Sequence, residues 1–220
     1  MGPCASARRR PAPAFLPLAS SMNPRTSRWM RAAVALLSAL LLLGACSRKL
    51  HWDLDDVSSV LPDLKFNLVD DSGRPVTAAD FAGTVDIVYF GYTHCPDVCP
   101  LTLSHLAESV QRLGSQARDV RILFISVDPA RDTPQVLKAY TRAFSPQAVG
   151  LTGSMQQIRD VTRRYHVAFD YGQKDKYGNY VVDHSAAIYI FDAKGRGRLI
   201  GSEASKPEQI THDLRQLIHD

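Results

Sequence analysis

The 220-residue chain is 45% hydrophobic and 22% charged, which suits one folded domain with an attachment and excludes a largely disordered chain. Six of its 26 Lys and Arg residues (Arg8, Arg9, Arg10, Arg25, Arg28 and Arg31) precede position 46 with no acidic residue among them. The remaining 20 basic residues face 22 acidic ones, so the formal charge of +4 belongs to the leader, and the rest carries no basic footprint for nucleic acid.

The leader reads as an export signal. "MNPRTSRWMR" is a basic opening and Ala32 to Leu43 an apolar run. That run is too short for a membrane span, which needs about 20 residues, but it fits a signal-peptide core. Leu43-Gly44-Ala45-Cys46 resembles a bacterial lipobox, in which cleavage leaves Cys46 as a lipidated first residue. Residues 1–45 are therefore expected to be a signal peptide, with Met22 or Met30 as alternative starts. Residues 46–60 are expected to form a lipid-anchored tether and residues 61–220 a single domain, placed in the bacterial cell envelope on the periplasmic side.

Along the domain, "KFNLVDDSGRPVTAADF" alternates and turns at Asp71-Ser72-Gly73, the pattern of a β-hairpin. Val85 to Tyr92 is a short apolar run rich in β-branched and aromatic residues, predicting a buried strand. It runs into "THCPDVCPLTL". Proline disfavours helix at the residue before it, so Cys95 and Cys99 are expected in the loop, with Pro100 opening a helix carried by Leu103, Leu106, Val110 and Leu113 to Gly114. A second buried strand is expected over 121–129, helices over 133–143 and 154–165, a hairpin about Ala193-Lys194-Gly195, and a last helix over 206–218. The stretch "DYGQKDKYGNYVVDH" reads as a polar, tyrosine-bearing excursion of ordinary hairpin chemistry, with a mobile flap or a partner-docking surface before His184 as the alternative. The order predicts an α/β domain with a mixed central sheet flanked by helices and an extra N-terminal β-hairpin.

Of four cysteines, Cys4 lies in the leader and Cys46 would carry the lipid, leaving Cys95 and Cys99 for chemistry. A strand feeding a Cys-Pro loop that opens a helix is a thioredoxin-type arrangement, and a helix N-terminus is expected to lower a thiol's pKa. In helical geometry the two Cα atoms would lie about 6 Å apart, so the pair suits either a disulfide or one metal ion, and spacing does not choose. A metal held by two thiolates needs a further ligand. His51, His212 and His219 read as surface residues, His105 and His166 as structural or solvated. His94 adjoins the cysteine loop. His184 opens the apolar strand "SAAIYIFD" and is the candidate third ligand, with Asp183 beside it; a strand-capping role is the alternative. In "SVDPARDTPQ", Asp132 and Thr133 read as helix caps rather than as an acid–base pair with Asp128.

Together "YFGYTHCPDVCPLTL", "ISVDPARDTP" and "VDHSAAIYIFD" resemble the Sco/SenC family of thioredoxin-fold copper proteins over about residues 61–218. The resemblance implies copper, as Cu(I), Cu(II) or both, held by Cys95, Cys99 and His184. It implies a metallochaperone role in assembling the copper-A centre of cytochrome c oxidase, with an oxidase subunit II as partner, and other copper chaperones or thioredoxin-like reductants as further partners. Family members are commonly anchored by a transmembrane helix, for which a lipid on Cys46 would substitute. The alternative is a dedicated thiol–disulfide oxidoreductase that reduces the oxidase's copper-site cysteines through Cys95 and Cys99. Thioredoxin-like enzymes favour two residues between the cysteines and a proline before the facing strand. Here three residues intervene and His184-Ser185 stand in that neighbourhood, which favours metal.

Overall fold

The computed structural model describes residues 50–220. The segment expected as a signal peptide, Cys4, the alternative starts and Cys46, the expected lipidation site, lie outside the described residues. Among the described residues no helix is long and apolar enough to cross a membrane.

Ten strands and four α-helices make up the domain. The strands are β1 (Asp55–Asp56), β2 (Asn67–Asp70), β3 (Pro75–Thr77), β4 (Val85–Gly91), β5 (Val120–Ser126), β6 (Ala148–Thr152), β7 (Phe169–Tyr171), β8 (Val182–His184), β9 (Ile188–Phe191) and β10 (Gly197–Gly201). The helices are α1 (Val98–Gln111), α2 (Pro134–Arg142), α3 (Met155–Arg164) and α4 (Pro207–Ile218). Eight strands form one mixed sheet in the order β1-β10-β9-β4-β5-β6-β2-β3, and β7 and β8 pair separately. β4, β5 and β6 are parallel, joined through α1 and α2, whereas β9 runs antiparallel to β4. Every residue of β4 is buried, as a central strand covered on both faces requires.

Both expected hairpins form. β2 and β3 pair about a turn in which Gly73 takes φ +84°, the left-handed conformation that glycine adopts without a Cβ clash. In the second, Asp192 accepts the N–H groups of Lys194 and Arg196 and closes the turn between β9 and β10. α3 begins with a capping box in which Ser154 and Gln157 each bond the other's backbone N–H.

Four expectations need correction. α1 starts at Val98, so Cys99 is helical; Asp97 is its N-cap and Pro100 its third residue. First-turn N–H groups have no acceptor within a helix, so proline costs no hydrogen bond there, and the first helical bond is Leu101 N–H to Asp97 O. The stretch expected as a tether contributes to the body from Leu50 on. Asp213 of α4, fully buried, accepts the N–H groups of Asp53 and Leu54, and β1 pairs with β10. β6 was not expected: "AVGLT" is too short, and its glycine too permissive, to show strand periodicity. Finally, "DYGQKDKYGNYVVDH" folds as a hairpin, as its chemistry suggested, but His184 ends its strand β8 rather than opening the central strand, which begins at Ile188.

Candidate metal centre

The carboxyl ends of β4 and β5 lie side by side, Gly91 opposite Ser126, with Val127 N–H donating to Gly91 O at 2.8 Å. The cysteine loop and the "DPARD" loop therefore leave the sheet together. Asp132, fully buried, ties one to the other. Its Oδ2 accepts Thr93 N–H at 3.0 Å and Ser126 Oγ–H at 2.6 Å, and its Oδ1 accepts Thr93 Oγ1–H at 2.6 Å. It is thus a loop anchor and not the expected cap; Thr133 alone caps α2, accepting Val136 N–H, with Pro134 in the first helical position.

β4 delivers the loop, α1 fixes Cys99 in its first turn, and the β7–β8 hairpin brings His184 from the far side. One ligand atom from each of Cys95, Cys99 and His184 lies within 4.8 Å of the others. Cys99 Sγ is 3.3 Å from His184 Nε2, and Cys99 N–H donates to Cys95 Sγ at 3.4 Å. Both thiols are free. His184 Nδ1 stands 3.1 Å from Ser185 O. A carbonyl only accepts, so Nδ1 carries the proton and the Nε2 lone pair faces the sulfurs. Tyr92 and Tyr89 set ring edges against the imidazole at 6.0 and 6.3 Å. Cys99 closes the floor of the site, fully buried, while Cys95 and His184 are half-buried and leave the outer side open.

Burial pushes the Cys99 thiol up to about 12, outweighing the lowering effect of a hydrogen bond from the Tyr92 backbone, so the thiol is raised and not lowered as its place near a helix N-terminus led us to expect. In the metal-free site Cys99 is therefore a thiol, able to donate its S–H to the Nε2 lone pair 3.3 Å away. Two soft sulfurs and one borderline nitrogen fit a copper ion, and Cu(I) best.

The other histidines stay apart. His51, His94, His166, His212 and His219 are exposed, and His105 is half-buried. A second group, Asp53, His212 and Asp213, also gathers potential ligand atoms. There Asp213 already holds the backbone of residues 53 and 54, and His212 Nδ1 sits 3.1 and 3.0 Å from the two carboxylates as a further tie.

Gly91 is needed for closeness. A Cβ there would lie 2.8 Å from Phe124 Cε2 and 3.0 Å from Cys99 Sγ. Gly91→Ala should therefore destabilise the fold by about 1–3 kcal/mol, as overpacking does, and weaken metal binding by displacing the sulfur. Urea unfolding and metal titration of the variant check both; a variant unchanged in both would show that the site has slack.

The sequence profile of the family described as SCO1/SenC matches residues 60–219. The chain belongs to the SCO1/SenC family. The mitochondrial SCO2 homolog of Bos taurus is 43% identical over 153 residues, covering 69% of this chain and 58% of the bovine protein, so the chain spans under two thirds of that relative. Bradyrhizobium japonicum ScoI, solved with copper bound, is 38% identical with a TM-score of 0.66, covering 71% of this chain and 99% of that one. A SCO1/SenC family lipoprotein from Bacillus anthracis is 27% identical with a TM-score of 0.61, covering 72% and 96%. These neighbours and the β10-β9-β4-β5 core make the fold thioredoxin-like, as expected.

Proposed function

We propose that this protein is a copper carrier, binding one copper ion through Cys95, Cys99 and His184, and that it serves assembly of the copper-A centre of cytochrome c oxidase, with subunit II or a related oxidase subunit as recipient. The observation that carries the reading is the convergence of two sulfurs on an Nε2 whose lone pair is freed by the Nδ1–Ser185 contact. The copper-bound ScoI supports the choice of metal. The same donors suit zinc, so the metal is chosen by supply and by softness together. A half-open site with one buried sulfur suits a carrier, because an incoming donor reaches the ion from the side of Cys95 and His184 while Cys99 still holds it.

A signal peptide over residues 1–45 and a lipid on Cys46 would place the domain at the membrane facing the periplasm. The short run from Cys46 to the first packed residues supports a close anchor, and the Bacillus anthracis neighbour is itself described as a lipoprotein.

One observation favours the thiol–disulfide reading. Cys95 is half-buried and Cys99 fully buried, the asymmetry of an attacking and a resolving thiol. The two readings separate in one experiment. Reduced protein is titrated with Cu(I) against a competing chelator, beside Cys95→Ser, Cys99→Ser and His184→Ala. One tight equivalent, weakened in all three variants, is expected. Weak binding indifferent to His184, in a protein that still exchanges disulfides, would replace the carrier by the reductase.

A further inference from the structure

His184 reaches the two sulfurs on an element that the main sheet does not hold. Phe169 lies opposite His184 and Tyr171 opposite Val182, and neither β7 nor β8 joins the eight-stranded sheet. A two-stranded ribbon by itself is marginal in water, so its position must be fixed by side chains.

Two tyrosines fix it to the segment after β5. Tyr171 Oη–H donates to Val127 O at 2.5 Å, and Tyr180 Oη–H donates to Asp128 Oδ1 at 2.8 Å. Their rings meet edge to face at 5.7 Å. Asp128 is fully buried, and its Oδ2 accepts Arg131 Nε–H. Arg131 then reaches back across the hairpin. Its guanidinium lies 3.6 Å from the Tyr180 ring centroid and 5.6 Å from that of Tyr92, whose edge faces His184. Arg131 Nη2 is buried without a hydrogen-bond partner among the described residues, so this guanidinium acts through its flat face and its carboxylate pair.

We propose that Arg131, Asp128 and Tyr180 form a latch that holds the β7–β8 hairpin and thereby positions His184 at the two sulfurs; the inference rests on the copper reading above. Arg131 and Tyr180 are positioning residues, since neither is among the three ligands. With the latch closed, the imidazole completes a three-donor site. With it open, the hairpin carries the imidazole away and two sulfurs remain, which still suit Cu(I) but hold it less tightly. Release of one ligand by a surface hairpin is a route for passing the ion to a recipient.

The test uses Tyr180→Ala and Arg131→Lys, each alone and combined with His184→Ala. Cu(I) affinity is measured against a competing chelator on the reduced proteins, and hydrogen exchange over residues 169–184 is followed on the metal-free proteins. Each latch variant should weaken Cu(I) about tenfold when His184 is present and less than about twofold when it is absent, the signature of action through His184. Amides of residues 182–184 should exchange faster without metal. Lysine keeps the charge beside Asp128 but has no flat face for Tyr180, so it should not rescue. A latch variant that binds as the wild type does, or loses the same factor with and without His184, overturns the latch and leaves the copper reading standing. Should His184→Ala alone leave Cu(I) binding unchanged, the copper reading fails; the latch then falls as well, because it has no ligand to position.

Discussion

Apparent copper affinity should rise about tenfold for each pH unit between about pH 6 and 8 on account of Cys99 alone, and Cys99→Ser should remove that increment with most of the affinity. Burial pushes the Cys99 thiol up to about 12, so the group carries its proton throughout this range in the metal-free protein. Copper binds the thiolate, so each ion taken up displaces that proton, and affinity climbs as protons become scarcer. The sign is fixed by the direction of the shift: a thiol raised above the working pH makes binding weaker in acid and stronger in alkali. Zinc sites with four ligands gain about 10–16 kcal/mol, so loss of one thiolate should cost about 3 kcal/mol, on the order of a hundredfold. Competition titrations at three pH values, with a chelator whose own pH dependence is known, read both effects. Equal affinity at pH 6 and 8 in the wild type would mean that Cys99 is not displaced of its proton and is not a ligand.

The centre was legible in parts, and the parts differ in physical kind. Cys95 and Cys99 stand four positions apart, and the strand before them announces itself by seven consecutive buried residues, so local pattern alone places the pair at a strand-to-helix junction. Pro100 misled because the bias against helix before proline is general, whereas the first turn of a helix is the one place where a missing N–H costs nothing. His184 is a different case. It lies 85 positions from Cys99, and only the antiparallel pairing of β9 with β4 and the excursion before it bring the two within 3.3 Å. No spacing encodes that: thioredoxin-type topology made His184 a candidate with a strand-capping role as the alternative, family resemblance then implied its ligand role, and its position at the end of the hairpin strand rather than the start of the central strand was not expected. Asp132 shows a third limit. An aspartate before Thr-Pro is chemically able to cap a helix, and only the tertiary approach of Thr93 and Ser126 assigns it to the cysteine loop. Arg131 and Tyr180 are 49 positions apart and meet by the same route, across a hairpin whose local chemistry is legible but whose packing partner is not.

Asp86→Asn should stabilise the protein at about pH 8 by up to about 4 kcal/mol while leaving stability near pH 4 little changed. Asp86 sits within central β4 and is 2% exposed. Burial raises its carboxyl to about 7, against smaller opposing effects from Thr84 and Arg121. The geometry agrees with a neutral side chain. Thr84 Oγ1 lies 3.0 Å from both Phe81 O and Asp86 Oδ1, and one hydroxyl proton can serve only one of them. A protonated carboxyl supplies the second proton, and so does an asparagine amide. Arg121 is turned elsewhere, its guanidinium 5.4 Å from the Phe81 ring centroid. For an acid raised on folding, the native state binds the extra proton, so the favourable balance is complete below the unfolded pKa near 4 and is lost as pH rises through about 7. The wild type should accordingly lose stability between about pH 4 and 7, with a plateau beyond, while the asparagine variant should run flatter over the same window. Denaturant unfolding of both proteins at several pH values measures the difference. An asparagine variant that is less stable than the wild type at pH 8 would mean that Asp86 works as a charged partner of Arg121, and that the sheet at β4 and β5 holds a buried ion pair in place of a buried acid.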